Sequence, residues 1–332
     1  MMRMDTILRV ENLKMYYHTS KGAVRAIDNL NFDLKVGETL GLVGESGCGK
    51  TSLGTSLLRM PTPPGRYESG RIILDGKDII PLSEKEVRKD IRWEKVSMVF
   101  QGAMNCLTPV YTIGRQMLET LKEHREMEDS YATELIKEYL GLVGLPAEVM
   151  GRYPHEMSGG MKQRVVIATA LFLKPSMVIL DEPTTALDVI VQAQIINLLK
   201  KLKQTFNLSF IFITHDLALE AEISDRLCVM YAGKIAELGT NEQIFGPAAY
   251  GRRGANHPYT EKLLASTPRL HKKVEKLSYI EGTPPDLISP PNGCRFNPRC
   301  HRVMERCRNE EPPLWEIEAG HFSACWLNGE GR

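Results

Sequence analysis

A glycine-rich segment at residues 44–51, Gly-Glu-Ser-Gly-Cys-Gly-Lys-Thr, constrains the fold of this chain more than any other feature. The apolar run 39–43 precedes it and a predicted helix over 52–60 follows it, so the segment joins a strand to a helix. Backbone N–H groups of such a loop, together with the first turn of the helix, can surround a phosphate group. The sequence therefore predicts a nucleotide-binding loop rather than an ordinary glycine-rich turn.

Each residue type in this loop suits a triphosphate. Gly44, Gly47 and Gly49 let the backbone turn and come close to the ligand without a Cβ atom in the way. Lys50 can reach the β- and γ-phosphates, and the hydroxyl of Thr51 suits a Mg²⁺ ion. The predicted ATP-binding residues of the segment are Gly44, Ser46, Gly47, Cys48, Gly49, Lys50, Thr51 and Ser52.

Two neighbouring tyrosines before a polar turn at 19–22 are candidates for contact with the base. Tyr16 or Tyr17, with Tyr17 favoured, could stack on an adenine ring through its π-face. Strands are rich in tyrosine, so ordinary packing within a strand is an equal alternative.

Composition and charge limit the class of protein. With 332 residues, 42% of them hydrophobic and 25% charged, the chain is typical of a globular protein with one large domain and an appendage, or with two domains. Lys and Arg number 42 against 41 Asp and Glu, which disfavours nucleic acid as a partner. No apolar run approaches the ~18 residues that span a bilayer, and the N-terminus lacks the apolar core of a signal peptide. We therefore expect a cytoplasmic protein.

Polar side chains follow three predicted buried strands at the point where each strand ends. Gln101 follows the first, Asp181 and Glu182 follow the second, and His215 follows the third. Folds of the α/β class place their ligands at such strand ends. Asp181 suits Mg²⁺, Glu182 suits the activation of an attacking water, and His215 could hydrogen-bond a γ-phosphate. Any one of them alone could be an ordinary strand-end residue, but their recurrence indicates a catalytic set.

The middle of the chain has the apolar spacing of helices. The segment 112–144 forms a predicted helical insert that ends at the breaker 144–146. Its predicted buried residues are Ile113, Met117 and Leu121 on one face, followed by Leu135, Tyr139 and Val143. Further on, Ser158 is a candidate N-cap before an apolar helix over 165–173. Gly159 and Gly160 leave the N–H groups of that helix start accessible to a phosphate.

This ordered set of motifs resembles the ATP-binding cassette of ABC transporters. The segment 44–51 looks like the Walker A motif of that cassette, and 178–182 looks like its Walker B motif with the catalytic glutamate. Gln101 matches the Q-loop, and the segment 158–163 matches the signature. The segment 185–188, with Asp188, matches the D-loop, and His215 matches the switch histidine. Met161 stands where the commonest signature has Gln.

The resemblance implies an α/β fold with a P-loop, a RecA-like core, an antiparallel β subdomain and a helical subdomain at about 102–160, within a nucleotide-binding domain of residues 1–250. It implies an ATPase with Glu182, His215 and Gln101 as catalytic residues, and with Thr51, Gln101 and Asp181 around Mg²⁺. Two cassettes would close head to tail on ATP. The signature residues that would then face the partner's ATP are Ser158, Gly159, Gly160, Met161 and Gln163.

The C-terminal part of the chain resembles one particular group of ABC transporter ATPases. The segments 257–260, 263–268 and 281–285 resemble the extension, here 251–332, of dipeptide and oligopeptide permease ATPases, with a Pro- and Gly-rich linker at 283–293. The resemblance implies an importer subunit on the cytoplasmic face of the cell membrane. Its partners would be a second ABC ATPase, either a paralogue or a second copy, two transmembrane permease subunits and an extracytoplasmic solute-binding protein.

Peptides are the expected solute, and oligosaccharides and nickel are alternatives within the same role. A soluble cassette ATPase outside transport is a further alternative. A binding module that has lost its ATPase activity is disfavoured, because Lys50, Asp181, Glu182 and His215 are all present.

Four of the seven cysteines lie near the C-terminus: Cys294, Cys300, Cys307 and Cys325. Successive thiols are separated by five, six and seventeen residues, which is wider than the close pairs of structural zinc sites. Four thiolates also suit a [4Fe–4S] cluster, and the permease family that this chain resembles includes members that carry one. We expect that cluster, with zinc second and unligated thiols third. Its charge could be offset by four nearby residues: Arg295, Arg299, His301 and Arg302. Cys48 is predicted to be a spacer in the loop, and Cys106 and Cys228 to be packing residues.

Overall fold

The computed structural model describes residues 6–246, 256–266 and 279–329. The strands in these ranges are β1 (Thr6–Thr19), β2 (Gly22–Lys35), β3 (Thr39–Val43), β4 (Gly65–Leu74), β5 (Lys77–Asp78), β6 (Val96–Val99), β7 (Met177–Asp181), β8 (Ser209–Ile213), β9 (Arg226–Tyr231), β10 (Lys234–Thr240), β11 (Trp315–Glu318) and β12 (His321–Ser323).

The helices in the same ranges are α1 (Lys50–Leu57), α2 (Glu84–Glu86), α3 (Ile113–His124), α4 (Asp129–Leu142), α5 (Gly159–Ala170), α6 (Val189–Phe206), α7 (Leu217–Ile223), α8 (Asn241–Phe245), α9 (Pro258–Ala265) and α10 (Glu305–Asn309). A π-helical turn, Val87–Ile91, follows α2, and 3-10 turns cover Ala103–Cys106, Ala147–Gly151, Pro154–Glu156, Asn297–Arg299 and Trp326–Asn328. Of the helices in the described ranges, none is long and apolar enough to cross a membrane.

The chain divides into two compact units. The helical unit contains Lys35–Gly37 and Leu74–Phe212, together with Thr6 and Ile7. The strand-rich unit contains Leu8–Leu34, Glu38–Ile73 and the described residues from Ile213 onward.

The helical unit is built on three strands in the order β8-β7-β6, and every residue of these strands is buried. Strands β6 and β7 run parallel, with Val99 opposite Leu180. Helix α6 buries one apolar face, which includes Ile195, Leu198, Leu199 and Leu202. Such apolar spacing on one face turns a helix toward the core.

Helices α3 and α4 form the predicted helical insert. Helix α3 buries Ile113, Met117 and Leu121 as predicted. Helix α4 buries Ala132, Ile136, Tyr139 and Leu140, so the prediction for its face was wrong at Leu135, which is only half-buried. Tyr139 is buried as predicted, and its ring packs edge-on against Phe172 with the ring centroids 5.3 Å apart.

The strand-rich unit contains a sheet in the order β11-β12-β10-β9-β3 and a second group in the order β2-β1-β4. Strand β3 pairs parallel with β9, whereas β9, β10, β12 and β11 pair antiparallel in succession. Strands β9 and β10 form an antiparallel hairpin.

The segment 283–293 was predicted to be a linker, but it packs on the hairpin of β1 and β2. Arg25 N–H donates to the carbonyl oxygen of Leu287 at 3.0 Å. A Cβ atom on Gly22, the first residue of β2, would lie 2.7 Å from Cγ2 of Ile288. A proline-rich stretch can therefore be a packed segment of the unit as well as a spacer.

Two helices begin earlier than the sequence predicts. Helix α1 begins at Lys50 and α5 at Gly159, whereas starts at 52 and 165 were expected. Ser158 is the N-cap as predicted, and its hydroxyl accepts from Met161 N–H at 3.3 Å. Glycine disfavours helices on average, and this cap outweighs that preference at Gly159 and Gly160.

Candidate nucleotide site

The glycine-rich loop joins β3 to α1, as the sequence predicts, and its glycines meet two separate requirements. Gly44 and Gly49 have φ angles of 147° and 107°. A Cβ atom would lie 2.2 Å from the carbonyl oxygen of Met230 at the first and 2.3 Å from that of Ala26 at the second. Gly47 also has a positive φ, of 78°, but nothing lies within 4 Å of its Cβ position. Backbone conformation alone thus favours glycine at Gly47, whereas close packing also excludes a side chain at the other two.

Lys50 lies at the first position of α1 with its ammonium group folded back over the loop. Its Nζ donates to the carbonyl oxygens of Gly44 at 2.7 Å and Glu45 at 3.1 Å. Gly49 precedes the helix without a side-chain cap, so the N–H groups of the first turn face no capping side chain. An ammonium group and uncapped N–H groups form an anion-binding arrangement. Cys48 is buried, which raises the pKa of its thiol, and it fills space in the loop.

The two tyrosines have different partners. Tyr17 exchanges a hydrogen bond with Ser52 at 2.9 Å between Oη and Oγ, so its half-buried ring lies beside α1. Tyr16 donates to Asp28 at 2.8 Å, and burial, followed by this contact, raises its pKa to about 12. Tyr17 is therefore the tyrosine placed at the loop helix.

In the helical unit, the acidic end of β7 meets the residue that follows β6. Gln101 Nε2 donates to Glu182 Oε2 at 2.9 Å, across 81 residues of sequence. Thr185 Oγ1 donates to the same oxygen at 2.9 Å. Asp181, the last residue of β7, is buried, and Glu182 follows it with a φ of 48°. The sequence predicted Gln101 and Glu182 as members of one catalytic set. It did not predict the contact of Thr185 with Glu182, for which the sequence signal is a hydroxyl residue three positions after a carboxylate.

The start of α5 packs against the segment before α6. A Cβ atom on Gly159 would lie 3.1 Å from Leu187, and one on Gly160 would lie 2.6 Å from Val191. Asp188 caps α6 by accepting from Val191 N–H at 3.0 Å. The predicted signature is only partly at the surface. Ser158 and Gly159 are exposed and Gly160 and Met161 are half-buried, but Gln163 is buried, because the helix turns it inward.

His215 follows β8 and is exposed, as a residue that contacts a ligand requires. The next residue, Asp216, caps α7 by accepting from Ala218 N–H at 2.8 Å. This helix cap therefore holds the backbone immediately after His215.

The four C-terminal thiols border one small cavity in the strand-rich unit, together with His257 and Arg302. Burial raises the pKa of Cys294 to about 12 and that of Cys325 to about 11, and the neighbouring thiols add to both shifts. Within the described ranges, however, no group of three or more His, Cys, Asp or Glu side chains is arranged to hold a metal ion.

The remaining cysteines and two of the arginines differ in part from the prediction. Cys228 is buried as predicted, whereas Cys106 is exposed, so the prediction of a packing role for it was wrong. Arg295 pairs with Asp28 and Arg299 with Glu45, rather than facing the thiols.

Taken together, the loop after β3 and the acidic end of β7 define a P-loop ATPase of the ATP-binding cassette class. The structure is similar to that of MJ0796, described as a bacterial ABC transporter cassette, with a TM-score of 0.62 and 26% identity over 70% of this chain and 98% of that one. It is also similar to cbiO1 from Clostridium perfringens, part of the cbiONQ transporter complex, with a TM-score of 0.63 and 28% identity over 72% and 90% of the two chains. These likenesses confirm the predicted fold class.

Sequence comparison extends over nearly the whole chain. The ABC transporter family model matches residues 27–185, and the model of the oligopeptide/dipeptide transporter C-terminal region matches residues 237–307. The chain is 44% identical to the oligopeptide transport ATP-binding protein OppD of Bacillus subtilis, over 98% of this chain and 90% of that protein. It is 43% identical to OppD of Escherichia coli, over 97% and 93% of the two chains. The chain therefore belongs to the family of oligopeptide and dipeptide transport ATP-binding proteins, and it is an ATPase.

Proposed function

We propose that this chain is the ATP-hydrolysing subunit of an importer for dipeptides or oligopeptides. The observation that carries the proposal is the combination of a nucleotide cassette with the C-terminal region of peptide transporters, matched at residues 237–307. Relatives named for dipeptide as well as oligopeptide transport match along 98% of the chain. The proposed functional division stays at 1–250 for the nucleotide-binding domain, with its helical subdomain at about 102–160, and 251–332 for the extension.

The residues have separate proposed roles in ATP hydrolysis. The loop 44–51 binds the phosphates through its N–H groups and Lys50, and Tyr17 contacts the adenine. Glu182 takes the proton of the attacking water, a role supported by its two hydrogen-bond donors, which fix its orientation. His215 contacts the γ-phosphate.

We propose, on the sequence motifs, that the Thr51 hydroxyl, the Asp181 carboxylate and the Gln101 amide hold Mg²⁺, because oxygen atoms are the ligands that this ion prefers. When bound, the ion neutralises charge on the phosphates.

Exposed apolar side chains support the proposed partners. Val110 is 71% exposed beside Tyr111 in the segment after Gln101, and we assign this surface to the permease subunits. Val189 and Ile190 are 79% and 72% exposed next to Asp188, and we assign them to the second ATPase. These contacts would hold the chain at the cytoplasmic face of the membrane, and a solute-binding protein would deliver the peptide from the opposite side.

For the four thiols we propose a [4Fe–4S] cluster. The support is that Cys294, Cys300, Cys307 and Cys325 border one cavity and that four thiols match the ligand set of such a cluster. Cluster binding would also offset the cost of deprotonating buried thiols. Anaerobic purification, with iron and sulfide assays and a visible spectrum, tests the proposal. About four iron and four sulfide ions per chain are expected, and their loss in Cys300→Ser but not in Cys106→Ser.

A colourless protein with one zinc ion would favour the zinc alternative. A protein with neither metal would leave the thiols unligated and contradict both assignments.

The transport proposal is tested by co-expressing the chain with candidate permease subunits and reconstituting them in proteoliposomes with a peptide-binding protein. We expect ATP-dependent uptake of labelled dipeptides or oligopeptides. If only oligosaccharide or Ni²⁺ were taken up, the chain would still be the ATPase of an importer, but the transported solute would not be a peptide. ATPase activity without any association with membrane subunits would favour a cassette that acts outside transport.

A further inference from the structure

We propose that Arg299 and Tyr259, in the C-terminal extension, are positioning residues of the phosphate loop, which they hold through Glu45. The proposal rests on the proposed function of the loop as the ATP-binding site. A measurement of ATP binding by the wild-type protein tests that function separately. All three residues lie in the strand-rich unit, and the contacts join positions 254 and 214 residues apart in sequence.

Glu45 is the second residue of the glycine-rich loop, and its negative charge requires neutralisation. A carboxylate in a loop that receives a triphosphate repels the ligand. It would also attract the Lys50 ammonium, whose Nζ already donates to the Glu45 carbonyl oxygen at 3.1 Å. An affinity for ATP therefore requires that the Glu45 carboxylate be paired with a cation that does not itself bind the phosphates.

Arg299 is that cation, and it makes a bidentate contact with the Glu45 carboxylate. Its Nη1 lies 2.6 Å from Oε2 of Glu45, and its Nη2 lies 2.9 Å from Oε1. The Arg299 side chain is 4% exposed and that of Glu45 is 25% exposed, so water screens this pair only weakly. The hydrogen bond to Glu45 is the largest cause that raises the pKa of Arg299 above its usual value.

The other hydrogen bonds of Arg299 fix the guanidinium to the extension and to β9. Its Nε donates to the carbonyl oxygen of Glu281 at 2.8 Å, and its Nη2 to that of Ile280 at 3.2 Å. Its Nη1 also donates to the Tyr231 hydroxyl at 3.3 Å. Only a planar arginine fork can make all these contacts together. The guanidinium is thus held in place and holds Glu45 in turn.

Tyr259 holds the backbone of the same residue. Its hydroxyl accepts from Glu45 N–H at 2.8 Å, and its fully buried ring packs against Tyr231 and Phe296, with centroids 4.6 Å and 5.4 Å away. The extension therefore fixes both the side chain and the amide of Glu45. A loop that is ordered before it meets its ligand loses less entropy on binding, so these contacts favour ATP affinity.

The alternative is that the pair only attaches the extension to the cassette. The two explanations predict different results for a variant that lacks both charges. If Arg299 acts by neutralising Glu45, the Glu45→Gln change suppresses the defect of Arg299→Gln, because no bare carboxylate remains. If the pair is only an attachment, the double variant stays as defective as the single one, and the defect is in stability rather than affinity.

The test is a double-mutant cycle on the full chain, with ATP binding measured by titration calorimetry and thermal unfolding measured in parallel. We expect Arg299→Gln to weaken ATP binding about tenfold, within the usual range of coupling between sites. Glu45→Gln alone should weaken binding less than Arg299→Gln does, and the double variant should bind more tightly than Arg299→Gln. In hydrolysis assays, KM for ATP should rise in Arg299→Gln while kcat is unchanged. Tyr259→Phe should weaken binding by a smaller factor.

A matched control is the pair of Arg115 and Glu119 on α3, which is 3.0 Å apart but 56% and 58% exposed. The same cycle there should change neither Kd nor Tm. Wild-type affinity in Arg299→Gln, or a double variant that binds as weakly as Arg299→Gln, would overturn the proposal. If Arg299→Gln does not fold, Arg299→Lys keeps the positive charge beside Glu45 but loses the fork. It should bind ATP nearly as tightly as wild type does, and a Kd weakened about tenfold in this variant would overturn neutralisation as the role of Arg299. Wild-type protein that does not bind ATP would instead refute the function of the loop.

Discussion

At the scale of single residues, Glu182 is oriented by two donors on one of its oxygens. Gln101 and Thr185 both donate to its Oε2 at 2.9 Å. In Glu182→Gln an amide oxygen can accept from the same donors, but the basic carboxylate is lost. We expect ATP binding to persist and turnover to fall by about 10²- to 10⁴-fold, measured as equilibrium binding and phosphate release. Hydrolysis at the wild-type rate would remove Glu182 from the catalytic role, and Glu119→Gln on α3 serves as control.

Glu220 predicts a pH dependence of stability. Its carboxyl group is fully buried, with Ser224 Oγ donating to it at 2.5 Å, and burial raises its pKa from 4.5 to about 8. The folded protein therefore keeps a proton that the unfolded chain releases above its usual pKa of 4.5. This contribution to the free energy of unfolding is complete below that pH and is lost as the pH rises toward 8.

The variant Glu220→Gln keeps a neutral polar group and removes the titration. Compared with this variant, we expect the wild-type protein to lose on the order of a few kcal/mol between about pH 5 and pH 8. Urea unfolding of both proteins at several pH values measures the difference. A difference that stays constant with pH would mean that Glu220 does not hold its proton in the folded protein.

Residues whose position in the fold follows from their neighbours in sequence were predictable. Lys50 follows a glycine loop and Asp181 ends an apolar strand, and both patterns are local. Thr185 as a donor to Glu182 depends on the exact turn that follows β7, which composition does not determine. The contact of Glu45 with Arg299 spans 254 residues, and nothing near either residue indicates the other. The geometry around the loop was therefore predictable only as far as local pattern reaches.

At the scale of elements, the start of α5 is fitted to the first turn of α6. A Cβ atom on Gly160 would lie 2.6 Å from Cγ1 of Val191, and a β-branched side chain cannot easily turn away. We expect Gly160→Ala to lower the free energy of unfolding by about 1–3 kcal/mol, although alanine favours helices. Adding Val191→Ala should restore most of the loss. Denaturant unfolding of the single and double variants measures both effects.

Gly141 in α4 is the matched control, because nothing lies within 4 Å of its Cβ position. There the helix preference of alanine acts alone, so Gly141→Ala should stabilise the protein by about 0.5–1 kcal/mol. Equal effects at Gly141 and Gly160 would show that the contact with Val191 does not constrain α5.

The strands and long helices were predictable because their apolar periods are determined by burial, as in α3 and α6. The residues at which the helices begin were harder to predict. Helix α5 begins at Gly159, where two glycines argue against a helix and only the Ser158 cap allows it. The prediction for α4 was wrong at Leu135 because the buried face contains the adjacent Ile136, in register with Ala132, Tyr139 and Leu140.

At the scale of the whole molecule, a buried ion pair joins β2 to the C-terminal extension within the strand-rich unit. Arg295 donates to the Asp28 carboxylate and to the carbonyl oxygen of Ala232, and Tyr16 donates to Asp28 at 2.8 Å. Burial opposes the charge of Asp28, but the nearby charge of Lys234 and the Tyr16 hydrogen bond hold the pKa of Asp28 below its usual value. The folded state thus contains both charges, and each depends on the other.

The variant Asp28→Asn leaves the Arg295 guanidinium buried without its carboxylate. Removing one partner of a buried pair costs about 3–5 kcal/mol, and we expect a loss of this size in denaturant unfolding. Limited proteolysis should cut the extension faster in this variant, because it loses a main attachment to β2. Replacing both residues, as Asp28→Asn with Arg295→Met, should recover part of the stability, since no unpaired charge remains.

An exposed pair provides the comparison that separates burial from charge. Lys95 and Asp75 lie 2.6 Å apart, but their side chains are largely exposed, so Asp75→Asn should cost less than about 1 kcal/mol. If Asp28→Asn cost no more than Asp75→Asn, water would reach the buried pair and the extension would be held by its apolar contacts instead. Those contacts centre on Tyr259 and Phe296, which pack with Tyr231 of β9. Phe296→Ala would then release the extension in proteolysis while Asp28→Asn would not.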